Sequence, residues 1–325
     1  MNKSLKKYFF FFLLAVFSNL QAQSNRFDIR WIGEYSSTKD LTKAESFAGK
    51  VFSYIFGEDV RKIVRPVSLF TENGYELWII DQGDRQIVCI DTLKSKFDFY
   101  QDENQPLLSP LGVCAFGKQK LLISDSQSDK VVVFNRVDHS FKNLNDTIVF
   151  HRPTGIAYNE KTGIIWLAET AKHRILLLDK EGNLLRVIGK RGMAAGEYNF
   201  PTFIWIDVTG TVYVVDSMNF RVQILNADGA VQQVFGEIGD ASGYFARPKG
   251  IATDSQGHIY VADALFHAVQ IFDKKGNLLF YFGSQGRGKG QFWMPTGLFI
   301  DSQDRIYVSD SYNSRIQVFQ LVKIE

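Results

Sequence analysis

The fold is decided by the stretch Pro248-Lys-Gly-Ile-Ala-Thr-Asp-Ser-Gln-Gly-His-Ile-Tyr-Val-Ala-Asp263. It contains a proline, a short apolar strand, a turn with glycine and a second strand that ends in an acid. Similar stretches begin at five other prolines, so the unit recurs at intervals of 43 to 48 residues. Such a period is typical of a repeat fold. The six prolines are Pro66, Pro110, Pro153, Pro201, Pro248 and Pro295.

Each unit has room for four strands. A base usually begins the third strand four or five residues after the acid, and a glycine turn such as Lys274-Lys-Gly-Asn277 leads to the fourth. Four short strands in about 45 residues are typical of a propeller blade. The acids are Asp81, Asp125, Glu169, Asp216, Asp263 and Asp310, and the bases are Arg85, Lys130, Arg174, Arg221 and Arg315, with Ala268 in the fifth unit. Because the pair recurs in nearly every unit, we interpret it as structural rather than catalytic.

The repeats resemble NHL repeats. Their pattern of Pro-x-Gly-Ile, Tyr-Val-x-Asp and Asn-x-Arg-Val/Ile-Gln is matched closely at Pro248–Asp263, Asp216–Gln223 and Asp310–Gln317. The resemblance extends from Pro66 to the C-terminus and implies an all-β fold, a six-bladed β-propeller. Propellers of this kind generally act by binding, so the resemblance implies a binding or scaffolding role and leans away from an enzyme.

The two ends of the chain predict how the ring closes. The sixth repeat stops after its third strand, and Phe27-Asp-Ile-Arg-Trp-Ile-Gly33 is similar to the fourth strands of other repeats, such as Leu184–Gly189. We therefore predict that a clasp strand at 27–33 completes the last blade beside the C-terminal strand. Such a clasp removes two open sheet edges.

The N-terminus predicts export. Lys3, Lys6 and Lys7 precede an apolar run from Tyr8 to Phe17, and Ala22 offers a small residue before a cut at Gln23. This order is typical of a signal peptide, here residues 1–22, with the propeller at 23–325 as one domain. The apolar run is too short to span a bilayer, and no long apolar run follows it. We expect a periplasmic or secreted protein without a transmembrane segment after cleavage.

Composition narrows the classes of partner. The net charge of +2 gives no strong attraction to nucleic acid, and none is expected as a partner. Cys89 and Cys114 both lie in apolar strands. Buried free thiols are the favoured interpretation, although an oxidising compartment would also permit a disulfide.

One segment, residues 40–64, is foreign to the repeat. Ala44, Phe47, Val51, Phe52 and Ile55 are spaced to form one apolar face of a helix from about Leu41 to Phe56. This short helical insertion either packs against its own propeller or docks a partner. The docking candidates are Phe47, Val51, Phe52 and Ile55.

Candidate ligand-binding residues lie where the blade connections open. Arg65, Arg152 and Arg247 each precede a repeat proline, and Lys249 follows one. Guanidinium groups bind carboxylate or phosphate in a forked geometry, so these residues could hold an anion. The alternative is that each arginine pairs with an acid of a neighbouring blade.

His173 and His267 complete the candidate set, since they occupy matching connections after the second strands of two repeats. Propellers similar in outline, the peptidylglycine amidating lyases, carry zinc histidines at the start of the innermost strands. That position holds no histidine here, so we expect neither a metal nor a cofactor. The residues at that position are Val67, Leu111, Thr154, Thr202, Lys249 and Thr296.

These observations favour a non-catalytic binding or scaffolding module for a protein, peptide or glycan of the cell envelope, acting through the loop-rich face. The chain would work as a monomer or as a subunit of a complex. Two alternatives stay open: a metal-dependent hydrolase or lyase with its site at the mouth of the central channel, and a scaffold subunit of an envelope redox or transport complex.

Overall fold

The computed structural model of the chain describes residues 27–41 and 60–323. These residues form six four-stranded antiparallel sheets, which are the blades of a β-propeller. The predicted six-bladed all-β fold is confirmed. Every innermost strand begins at a repeat proline, a position at which a strand tolerates the missing N–H group.

The strands of each blade follow one another from the channel outward. Blade 1 contains β2 (Pro66–Thr71), β3 (Glu76–Asp81), β4 (Gln86–Asp91) and β5 (Lys96–Tyr100). Blade 2 contains β6 (Pro110–Phe116), β7 (Lys120–Asp125), β8 (Lys130–Asn135) and β9 (Phe141–Asn143). Blade 3 contains β10 (Pro153–Asn159), β11 (Ile164–Glu169), β12 (Arg174–Leu178) and β13 (Leu184–Ile188).

The second half of the ring repeats this order up to the last blade. Blade 4 contains β14 (Pro201–Ile206), β15 (Val212–Asp216), β16 (Arg221–Leu225) and β17 (Val231–Phe235). Blade 5 contains β18 (Pro248–Thr253), β19 (Ile259–Asp263), β20 (Ala268–Phe272) and β21 (Leu278–Phe282). Blade 6 contains β22 (Pro295–Ile300), β23 (Arg305–Asp310) and β24 (Arg315–Lys323), followed by β1 (Phe27–Tyr35) as its outermost strand.

Strand β1 therefore closes the ring, as the sequence predicts. It runs antiparallel to β24, from the pair Phe27 and Lys323 to the pair Tyr35 and Ile316. The observed strand continues two residues beyond the predicted end at Gly33. The indole Nε1 of Trp31 donates a hydrogen bond to Gln317 across the seam at 3.1 Å. The closing blade thus combines strands from opposite ends of the sequence.

The core consists of six apolar clusters in the described residues, one between each pair of neighbouring blades. The innermost strands pack closely enough that several blades need glycine at the third strand position. A Cβ atom at Gly250 would lie 2.4 Å from the carbonyl oxygen of Thr296 in the next blade. The repeat glycine therefore sets the spacing of the strands around the channel.

The helices of the described residues are single 3₁₀ turns. They span Thr38–Leu41, Thr170–Lys172, Ser217–Asn219 and Ser311–Asn313. The predicted helix from Leu41 to Phe56 lies outside the described residues except for its first residue, and so do the docking candidates Phe47, Val51, Phe52 and Ile55 and the predicted signal peptide. Across 27–41 and 60–323, no helix has the length and hydrophobicity that a membrane span requires.

Both cysteines are free thiols in the structure. Cys89 is buried in the cluster between blades 1 and 2, whereas Cys114 is partly exposed and borders the central channel. Burial raises the pKa of each thiol to about 12. Since the thiolate is the reactive form, neither side chain is an activated nucleophile at neutral pH.

Candidate functional site

The propeller has two different faces. We call the loop face the one that carries the segments before the repeat prolines and the connections from second to third strands. The hairpin face, on the other side, carries the turns from first to second strands and from third to fourth strands. Because the innermost strands begin at the loop face, Arg65, Arg152, Arg247 and Lys249 lie on that side of the molecule.

The repeated acids hold the loop face together. Asp263 accepts hydrogen bonds from the backbone N–H groups of Ala246 and Arg247, which lead into the innermost strand of the same blade. Asp81 accepts the same pair of bonds from Val64 and Arg65. The acid at the end of each second strand thus fixes the start of the first strand, as the structural interpretation predicts.

In blades 3, 4 and 6 the repeated base pairs with the acid. In blade 1 the third strand begins at Gln86 rather than at the predicted Arg85, and the Gln86 amide donates to Asp81.

Asp216 is fully buried and accepts hydrogen bonds from the backbone N–H of Asn199 at 2.6 Å and from Arg221 Nε at 2.8 Å. Two amide side chains, Asn219 and Gln223, donate to its other carboxylate oxygen together with Arg221. With four donors around it, the carboxylate has little capacity left to bind a ligand.

The two candidate histidines connect neighbouring blades. His173 Nδ1 accepts the backbone N–H of Phe200 at 3.1 Å, and His267 Nδ1 accepts that of Met294 at the same distance. Both histidines adopt positive φ, +54° and +53°. Each bond crosses from one blade to the next, so both side chains have a structural task whether or not they also bind a ligand. The sequence indicated that the two histidines occupy matching positions, but it did not predict these hydrogen bonds.

This bond predicts a pH effect on stability. Burial, followed by the nearby charge of Arg191, lowers the pKa of His173, although Asp216 opposes the shift. The folded state therefore favours the neutral ring, which accepts through Nδ1. This contribution is present above the unfolded pKa of about 6.5 and is lost as the pH falls through the lower folded value. We expect acid to lower the melting temperature more in the parent than in His173→Asn, which accepts without titrating.

Melting temperatures of both proteins at pH 8 and pH 5 test this expectation. Subtracting the shift of the variant from that of the parent cancels the titration of all other groups to first order, since both proteins share them. Equal acid sensitivity of the two proteins would show that the imidazole does not carry the effect.

The three candidate arginines lie on alternating blades. Arg65 belongs to blade 1, Arg152 to blade 3 and Arg247 to blade 5, and all three side chains are exposed. Their backbone N–H groups are used, since that of Arg152 donates to Asp129 of blade 2 at 2.7 Å. Within residues 27–41 and 60–323, no ion pair is found for any of the three guanidinium groups.

Lys249 breaks a repeated hydrogen-bond pattern. At the same position of blades 4 and 6, Thr202 contacts the hydroxyl of Ser217, and Thr296 contacts that of Ser311. The serine hydroxyls in turn donate to the proline carbonyl that begins the following blade. Blade 5 has Lys249 in place of the threonine and, in place of the serine, a residue without a hydroxyl.

The environment of Lys249 is electropositive. Burial, followed by the neighbouring charge of Arg247, lowers the pKa of this lysine to about 8. No carboxylate contributes to the shift, and the described residues provide no hydrogen bond or ion pair to the ammonium group. A partly desolvated cation beside a second cation, without a compensating acid, is an arrangement that an anion would stabilise.

The channel contains a cavity that was not predicted from the sequence. Its volume is about 740 Å³, and its lining extends from the third residues of the innermost strands to the turns of the hairpin face. Phe70, Trp205 and Phe299, at the same position of three different blades, border it. The sequence contained a signal for this cavity, because most other blades have small residues at the position of these aromatic side chains, such as Ala157 and Ala252.

Metal-ligating side chains do not converge in the part of the chain that the structure covers. There, no group of three or more His, Cys, Asp and Glu residues has a geometry that could hold a metal ion.

Comparison with family models matches parts of the ring. The NHL repeat model matches residues 245–272 and 292–319, and a model described as a 6-bladed beta-propeller matches residues 144–230. No curated protein matches the chain.

Solved structures share the fold at low identity. An auxiliary nutrient binding protein from Bacteroides thetaiotaomicron has a TM-score of 0.65 and 14% identity, over 82% of this chain and 71% of that one. Virginiamycin B lyase from Staphylococcus aureus has a TM-score of 0.57 and 14% identity, over 91% of this chain and 100% of that one. The closed ring makes the chain a six-bladed β-propeller, and residues 245–272 and 292–319 match NHL repeats.

Proposed function

We propose that this protein is an exported, non-catalytic binding module that recognises an acidic group of a protein, peptide or glycan through its loop face. The observation that carries the proposal is the uncompensated pair Lys249 and Arg247. The same ring fold occurs in a nutrient-binding protein and in a lyase, so the fold alone does not decide the function.

The proposed anion would bind beside Lys249. With a pKa of about 8, the ammonium group is mostly charged at neutral pH and has three donors. A carboxylate or phosphate there would receive charge-assisted hydrogen bonds and remove the repulsion from Arg247. Arg65 and Arg152, which precede the prolines of blades 1 and 3, would extend the positive surface toward a larger acidic partner.

The chain offers a matched substitution. Lys249→Thr installs the residue that blades 3, 4 and 6 have at this position, as Thr154, Thr202 and Thr296. We expect the variant to fold with unchanged or higher stability, because a partly buried cation disappears. We expect its affinity for the acidic partner to fall about tenfold or more, the worth of a hydrogen bond to a charged group.

Capture from the envelope fraction of the producing cells tests the proposal. The mature protein, Lys249→Thr and Lys275→Thr are compared as baits, since Lys275 is exposed on the hairpin face and controls for net charge. We expect the parent and Lys275→Thr to retain an acidic partner that rising salt releases. Retention of the same partner by Lys249→Thr, or the absence of any partner for the parent, would contradict the proposal.

A further inference from the structure

The channel cavity has an asymmetric wall. Aromatic side chains from blades 1, 4 and 6 form one side, whereas Cys114 and Ala157 of blades 2 and 3 leave space on the other. Tyr213 on the lining is buried, whereas the other aromatic residues along it are partly exposed: Phe70, Tyr158, Phe203, Trp205 and Phe299. Since these five residues lie on the innermost strands within the ring and line the cavity, we place their remaining exposure there. A volume of about 740 Å³ is in the range of small-molecule sites.

The aromatic wall is preorganised. Trp205 of blade 4 reaches past blade 5 to Phe299 of blade 6, with ring centroids 5.4 Å apart and planes at 81°. Phe299 contacts Phe70 of blade 1 in the same edge-to-face manner, with centroids 5.6 Å apart. The indole Nε1 donates to Thr253 Oγ1 at 2.9 Å, which fixes the ring across the channel. A ligand would therefore meet rings that are already held in place.

Acids surround the opening of this cavity at the hairpin face. The charged residues of the lining are Glu160, Asp207, Asp254, Asp301, Asp304 and a single base, Lys274. Arg305 pairs with Asp301, and Lys161 donates to the carbonyl of Val208 on the rim. His258 contacts Asp254 through Nδ1 at 2.7 Å. These basic groups reduce the excess of negative charge without cancelling it. Asp207 receives hydrogen bonds from neutral donors only, including Tyr213. The opening thus carries a net negative charge.

The geometry points to a second binding site, at which this cavity holds a small organic cation such as a quaternary ammonium group. Aromatic faces attract such cations, and the acidic rim draws them in. A bare metal ion fits poorly, because the carboxylates of Asp207, Asp254 and Asp301 are engaged by their own hairpin turns. The opening of this cavity lies at the hairpin face, whereas Lys249 lies at the loop face, and the two sites prefer opposite charges, so this site is independent of the proposed function.

Calorimetry with choline tests this assignment on the mature protein. The control ligand is 3,3-dimethyl-1-butanol, which has the shape of choline without its charge. We expect choline to bind with one site per chain and the neutral alcohol to bind about tenfold more weakly, since the cation–π contribution is lost. Undetectable binding of choline, or equal binding of both ligands, would overturn the proposal.

Variants locate the site. Trp205→Leu removes the largest aromatic ring and is expected to weaken choline binding about 30-fold, whereas Trp293→Leu, on the loop face, should leave the affinity unchanged. Glu160→Gln removes one exposed acid of the rim and leaves the aromatic wall unchanged. It therefore tests the location of the site even if Trp205→Leu fails to fold. It should weaken binding up to about fivefold, less so at high salt. Unchanged affinity in both Trp205→Leu and Glu160→Gln would place choline elsewhere and reject the site.

Discussion

Replacing Asp216 with alanine is expected to destabilise the ring by about 3–5 kcal/mol, which is the typical effect of removing one partner of a buried ion pair. Asp216 is fully buried, and the side chain of Arg221 is only 12% exposed. Without the carboxylate, Arg221 would keep hydrogen bonds to the carbonyl groups of Met193, Ala194 and Glu197 but would have no buried counter-charge. The backbone N–H of Asn199 would lose its acceptor as well.

Equilibrium unfolding in urea measures this effect. The matched control is Asp228→Ala in the same blade, because Asp228 is exposed and its substitution should change the free energy of unfolding by less than about 0.5 kcal/mol. A loss of less than about 1 kcal/mol for Asp216→Ala would contradict the view that the repeated acid holds each blade together.

Removing the clasp strand is the second change with a large expected effect. A chain that starts at residue 36 lacks β1 and leaves β24 as an unpaired edge. It also loses Trp31 from the cluster between blades 5 and 6, and Tyr35 from the cluster between blades 6 and 1. Because domains are stable by only about 5–15 kcal/mol, we expect little folded monomer to remain.

A chain that starts at Phe27 is the control for this truncation, since it keeps the whole strand. Size-exclusion chromatography and thermal unfolding of the two proteins separate the outcomes. A monomeric chain from residue 36 with the melting temperature of the control would show that the ring closes without its clasp.

The fold could be predicted because its information is local and repeated. A proline begins each first strand, and an acid about 15 residues later accepts the backbone N–H groups before that proline, as Asp263 does for Arg247. Both partners fall within one repeat, so six copies carry the same signal. The clasp was also predictable, because residues 27–33 resemble a fourth strand that the last repeat lacks.

The sites were less accessible to sequence reasoning because they depend on closure of the ring. Trp205 meets Phe299 only when blades 4 and 6 face one channel, although 94 residues separate them along the chain. The pKa of Lys249 depends on burial that no residue type reveals. His173 was a candidate ligand by type, whereas its contact with Phe200 requires a left-handed backbone and a neighbouring blade.

The closing pair of strands also constrains the order of folding. Phe27 belongs to the first strand of the ring to be synthesised, yet its partner Lys323 is the last residue of the final strand. Strand β1 must therefore stay unpaired until nearly the whole chain is available. Since contacts between distant parts of a chain form slowly, joining β1 to β24 is expected to be a late and slow step of folding. Until then we expect the nascent ring to expose strand edges that are prone to aggregation.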